Sequence, residues 1–119
     1  MFLGDWLVYK VVILIEPPED WQAFDEGWPE FLHQAEAMPG LRREAACHVE
    51  RFLYGRGSFV QMHELFFDSL SDAEQALSSP EGKAAGRQLQ QITHGRMALF
   101  IADHKEEDAA NLRKYRAKS

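Results

Sequence analysis

From Leu7 to Glu16 the chain reads LVYKVVILIE, a run rich in β-branched residues. Such residues suit a pleated surface, and Pro17-Pro18 closes the run because proline cannot donate to a ladder. This predicts a first strand near the N-terminus. Apolar side chains then recur at Trp21, Phe24, Trp28, Phe31, Leu32 and Ala35, in steps of three and four that place them on one helix face. Asp20 offers an N-cap. Pro39-Gly40 supplies the stop, with Gly40 expected at positive φ. Pro29 falls inside the pattern, so a kink or break is expected near Gly27.

Two longer strand-like runs follow, LRREAACHVERFLY and SFVQMHELFFD, joined by Gly55-Arg56-Gly57. They read as an antiparallel hairpin. Ala45, Cys47 and Val49 alternate with Glu44, His48 and Glu50, giving one apolar face and one mixed face. The stretch SLSDAEQALSSPEGKAAGRQLQQIT reads as helix, with Ser71 and Glu74 as a capping box. Ser79-Pro80 marks a second start, since proline suits the first helical position. RMALFIAD, residues 96–103, is the last strand. The remaining residues, 104–119, turn from acidic to basic and hold too few apolar side chains to anchor themselves, so a surface helix or frayed extension is expected beyond a domain over 1–103.

The order β-α-β-β-α-β predicts an α+β fold of the ferredoxin-like type, with an antiparallel sheet under two helices. Strands one and four carry apolar residues on both sides. A monomer would then expose a large apolar patch, and a second copy is the simplest cover, so a homodimer is expected. With 45% apolar and 27% charged residues, the 119-residue chain has the make-up of one folded domain. A net charge of −6 argues against nucleic acid as a partner. The start of the chain lacks a basic n-region and a small-residue cleavage site. Its apolar run is too short to span a membrane, so a cytoplasmic protein without a membrane partner is expected. The single Cys47 excludes an internal disulfide.

Three segments together carry a resemblance. MPGLRRE holds Pro39, Gly40, Leu41 and Arg42. LFFDS holds Leu65, Phe66, Phe67, Asp68 and Ser69. SPEG, residues 79–82, interrupts the second helical stretch. In this order they resemble the EthD family of dimeric α/β barrels, over about Leu7 to Asp103. The resemblance implies a ferredoxin-like fold, a homodimer, and a site for a small apolar or aromatic metabolite, with an oxidoreductase-type step in catabolism. The alternative is a non-catalytic carrier that holds such a molecule for a partner enzyme. Many members place a histidine in the first helix about two turns before the Pro-Gly. Phe31 or Leu32 stands there in this chain, and His33 falls on a different face.

The residues themselves offer polar groups inside strands. If Leu53 pairs with Ser58, His48 faces His63 and Glu50 faces Gln61. Two imidazoles as catalytic groups would then share a patch with a carboxylate and an amide that bind substrate. Should the histidines fall on opposite faces, Tyr9 and Trp28 are the next candidates for a binding pocket. A metal site finds little support: Cys47 and His48 point to opposite faces of one strand, and no zinc spacing occurs. Cys47, flanked by Ala45 and Val49, is expected to be a buried, inert thiol. No flavin or nicotinamide fingerprint occurs, which leaves any cofactor unidentified.

Overall fold

The structure, a computed structural model, describes residues 8–110. The reading of the extreme N-terminus and that of the tail over 111–119 lie outside the described residues. The elements run β1 (Val8–Ile15), α1 (Trp21–Glu36), β2 (Arg43–His48), β3 (Gln61–Phe67), α2 (Leu70–Ser78), α3 (Pro80–Thr93) and β4 (Met97–His104). The four strands form one antiparallel sheet in the order β2-β3-β1-β4. This is the ferredoxin-like arrangement.

Strand alternation gives the sheet two faces. Val11, Ile13 and Ile15 of β1 meet Leu65 and Phe67 of β3 beneath the helices, which contribute Phe24, Phe31 and Ala35 from α1 and Ala85 and Leu89 from α3. Each large side chain buried here contributes about 1.5–3 kcal/mol relative to exposure. The other face carries Lys10, Val12 and Leu14, opposite Phe66, Glu64 and Met62 on one side and Ala102, Phe100 and Ala98 on the other. It is largely apolar at its centre, with an ion pair between Lys10 and Glu64 and the basic side chains of Arg43 and His104 toward one end.

Several expectations need correction. Helix α1 runs unbroken through Pro29. Its aromatic stripe is anchored along the sheet before and after the proline. Asp25, whose carbonyl loses its bond to residue 29, lies on the exposed side, where water can replace that bond. The cap of α2 is Ser69, whose hydroxyl accepts from the Asp72 N–H at 3.0 Å, so the Ser71–Glu74 box is not used. Ser79 does serve at the second start. It closes α2 and opens α3, donating to the Ala76 carbonyl at 2.6 Å and accepting from the Gly82 N–H at 3.0 Å. Asp20 caps α1 through the Ala23 N–H at 3.1 Å, and Gly40 takes φ +81°, both as expected.

The hairpin register differs by two residues from the expected one. His48 lies opposite Gln61, and Ala46 lies opposite His63. Past a bond from the Val49 N–H to the Val60 carbonyl (2.9 Å), the connection bends instead of continuing as strand. Leu53 and Tyr54 are 86% and 95% exposed there, so no packed side chain holds a Leu53–Ser58 pairing. Cys47 is exposed, because β2 is an edge strand and the thiol sits on the face away from the helices.

Candidate active site between the sheet and the first helix

A shift of two residues preserves the faces of a strand. His48, Gln61 and His63 therefore still share the helix-facing side, together with Glu44 and Ala46. They do not gather as one cluster. His48 closes β2 and is exposed, and Glu50 lies beyond the strand, also exposed. Gln61 is buried opposite Ile15. Tyr9 sits at the other end of the sheet, opposite Phe67 and Asp103. His63 and Trp28 are the two candidates that meet.

His63 is only 3% exposed, held by β3 opposite Ile13 and beneath α1. The Trp28 indole stands edge-on to its ring at 5.4 Å and 90°, and the Phe31 ring at 6.1 Å and 75°. Helical spacing places both aromatics over the same strand. Phe31 occupies one of the two positions where the resemblance calls for a helix histidine, and the buried imidazole beside it, His63, belongs to β3. His63 Nε2 lies 3.0 Å from Glu44 Oε2. Glu44 projects from β2, one pleat along from the residue opposite His63, at the diagonal distance long side chains can span. Glu36, the last residue of α1, hydrogen-bonds to Glu44 in turn.

These contacts set the protonation pattern. Burial lowers the pKa of His63, against the pull of Glu36 and Glu64. The Glu36 carboxyl is raised, first by its hydrogen bond to Glu44 and then by the repulsion between the two charges. Glu44 Oε2 stands as the acceptor for His63 Nε2. A carboxylate on Nε2 fixes the imidazole proton there, which leaves Nδ1 with a free lone pair. His63 Nδ1 is buried and has no hydrogen-bond partner among the described residues. An unmet buried group of this kind costs about 1–3 kcal/mol, a cost commonly associated with function. The arrangement is a carboxylate, an imidazole and two aromatic rings packed together, a grouping with the chemistry to accept a proton.

Sequence reasoning missed Glu44, Glu36 and Phe31 as members of this group. Glu44 had a signal, since it alternates in phase with His48 on the mixed face of β2. Among the described residues, no group of three or more His, Cys, Asp or Glu side chains is placed to hold a metal ion. No described helix is long and apolar enough to cross a membrane.

Fold and site together define a ferredoxin-like α+β protein with a buried histidine under its first helix. More particularly, the chain belongs to the EthD family. It is 30% identical to an ethyl tert-butyl ether D (EthD) family protein of Bacillus halodurans c-125, covering 85% of this chain and 99% of that one, with a TM-score of 0.72. It is also 28% identical over 97 residues to an uncharacterised 11.0 kDa protein of the thcB-thcC intergenic region of Rhodococcus erythropolis, 81% of this chain and 94% of that protein. A dimeric protein of ferredoxin-like fold from Bacteroides fragilis NCTC 9343 superposes with a TM-score of 0.61 at 17% identity, covering 89% of this chain and all of that one. No family model matches the chain.

Proposed function

We propose that this protein binds a small apolar or aromatic metabolite against His63, and that the Glu44–His63 pair accepts a proton or hydrogen bond from its hydroxyl or N–H. The observation that carries this is the buried, unpartnered Nδ1 of an imidazole whose other nitrogen is held by a carboxylate. The walls favour a flat, apolar body, and the lone pair favours one acidic proton on it. Withdrawal of that proton activates the molecule, and the conversion we assign to the activated form is an oxidoreductase-type step in its catabolism, in which an external oxidant such as dioxygen takes up the electrons. Binding without any turnover would make the protein a carrier instead.

The test uses Trp28 as reporter. Fluorescence titration with p-cresol and with toluene compares the same body with and without the hydroxyl. p-Cresol is expected to bind about tenfold or more tightly, the worth of one hydrogen bond to a buried acceptor. Equal affinities would remove Nδ1 from the binding role.

The same proposal includes a homodimer joined through the open face of the sheet. Phe100 is 46% exposed there, beside Ala98, Ala102 and Leu14, and a dimer of standard size buries about 1,200–2,000 Å². Sedimentation equilibrium at micromolar concentration should return twice the 13.7 kDa chain mass. A monomer under those conditions would contradict it.

A further inference from the structure

His63 Nδ1 is buried, so a ligand meets it only when something that covers the ring gives way. Helix α1 covers it with two rings, Trp28 and Phe31. Phe31 is 2% exposed and belongs to the core between sheet and helices. Trp28 is only partly buried, stacked on Phe24 at 5.3 Å and against Phe31 at 4.9 Å. Of the two covering rings, Trp28 is the one with a side open to water.

The backbone that carries Trp28 is poorly supported from within the helix. Trp28 lies in the turn from Asp25 to Pro29, and Pro29 has no N–H to close that turn on the Asp25 carbonyl. Gly27, in the same turn, is the weakest helix former after proline. Packing against α3 requires it, since a Cβ at position 27 would lie 2.4 Å from Ile92 Cγ2. Support comes instead from outside the helix. The Gln88 side-chain amide of α3 donates to the Gly27 carbonyl at 2.9 Å, bracing the turn where its own backbone bond is lacking.

We infer that Trp28 is the door to the His63 site, hung on the Gly27–Pro29 turn and latched by Gln88, and that ligands enter when the indole swings outward. This rests on the reading of His63 as the ligand-binding group. Closed, the indole is one of the aromatic walls of the site; open, it gives passage to Nδ1. The door is closed in both the free and the liganded protein. A stiffer turn therefore slows entry and exit alike and leaves affinity unchanged, whereas a residue that merely lined the site would alter affinity.

The probe is p-cresol, whose NMR line shapes during titration give the dissociation rate and the affinity together. Pro29→Ala gives residue 29 an N–H for the Asp25 carbonyl. It is expected to slow association and dissociation alike by about fivefold, the rate equivalent of one net backbone hydrogen bond. Gln88→Ala removes the brace and should speed both by a similar factor. Affinity should stay at the native value in each variant. Far-UV circular dichroism and melting curves establish that both are folded. Native rates in either variant, or a change in dissociation alone with altered affinity, would overturn the entrance at Trp28 and leave the reading of His63 standing. Failure of p-cresol to bind the native chain would instead remove that reading, and this inference with it.

Discussion

Gly82→Ala is expected to destabilise the protein by about 3 kcal/mol, the range of severe overpacking in a close contact. The reason is the junction of α2 and α3. A Cβ at position 82 would lie 2.1 Å from the Ala76 carbonyl oxygen and 2.8 Å from that of Leu77. Both are backbone atoms of the last turn of α2, so no flexible side chain can move aside. The junction is further fixed by Ser79, which bonds to Ala76 on one side and to Gly82 on the other. Either the two helices separate or the cap breaks. Gly86, one turn further along α3, is the control: an added Cβ meets nothing within 4 Å. Gly86→Ala should stabilise by about 0.5–1 kcal/mol through helix propensity. Urea denaturation of the two variants measures both. Equal midpoints would refute the close-contact account.

His63→Gln is expected to lower the rate of any reaction that begins with proton withdrawal by about 10²–10⁴-fold, the usual worth of a positioned general base. Glutamine can still hydrogen-bond, but it cannot take up the proton. The same residue predicts a pH dependence of stability. Its folded pKa lies below the unfolded value, because burial disfavours the charged ring. The unfolded chain therefore binds more protons between the two values. Stability from this group is complete above about pH 6.5, the unfolded histidine value, and is lost as the pH falls toward the folded one. Glu36 works in the opposite sense. Its raised carboxyl favours the folded state when protonated, a small effect at an exposed helix end. Denaturation midpoints followed from pH 7.5 to 5 should fall for the native chain and fall less for His63→Gln. An identical acid slope in both would exclude His63 as the titrating group.

Local chemistry made most of the fold legible. The β-branched run ended by two prolines became β1, Asp20 and Ser79-Pro80 became helix starts, and Gly40 took the positive φ its position demands. The errors arose where tertiary contacts overrule local preference. Pro29 should break a helix, but the aromatic stripe on both sides of it holds α1 in line. Ser71 looked like a cap, although Ser69 stands where the chain leaves β3, and the sheet decides where the helix can begin. Cys47 alternates with apolar residues, yet edge position decides its exposure.

The site was half legible for a related reason. Strand parity correctly put His48, Gln61 and His63 on one face, because a shift of two residues does not change faces. Register decides which of them meet, and here it is set by the ladder to β1 and by the contacts under α1. The turn, with its exposed Leu53 and Tyr54, does not fix it. In the true register Ala46 stands opposite His63, leaving room for Glu44 to reach the ring from one pleat away. Glu36 comes from a helix end, and no strand pattern points to it.

The central claim is that His63 is a neutral imidazole with its proton on Nε2, toward Glu44, and a free lone pair on Nδ1. Nitrogen-15 NMR of the His63 ring at pH 7, assigned through its one-bond couplings, reads this directly. The account predicts a protonated Nε2 coupled to its hydrogen and an unprotonated Nδ1, with the Nδ1 resonance shifting on addition of p-cresol. A proton on Nδ1, or a ring protonated on both nitrogens at that pH, would contradict it.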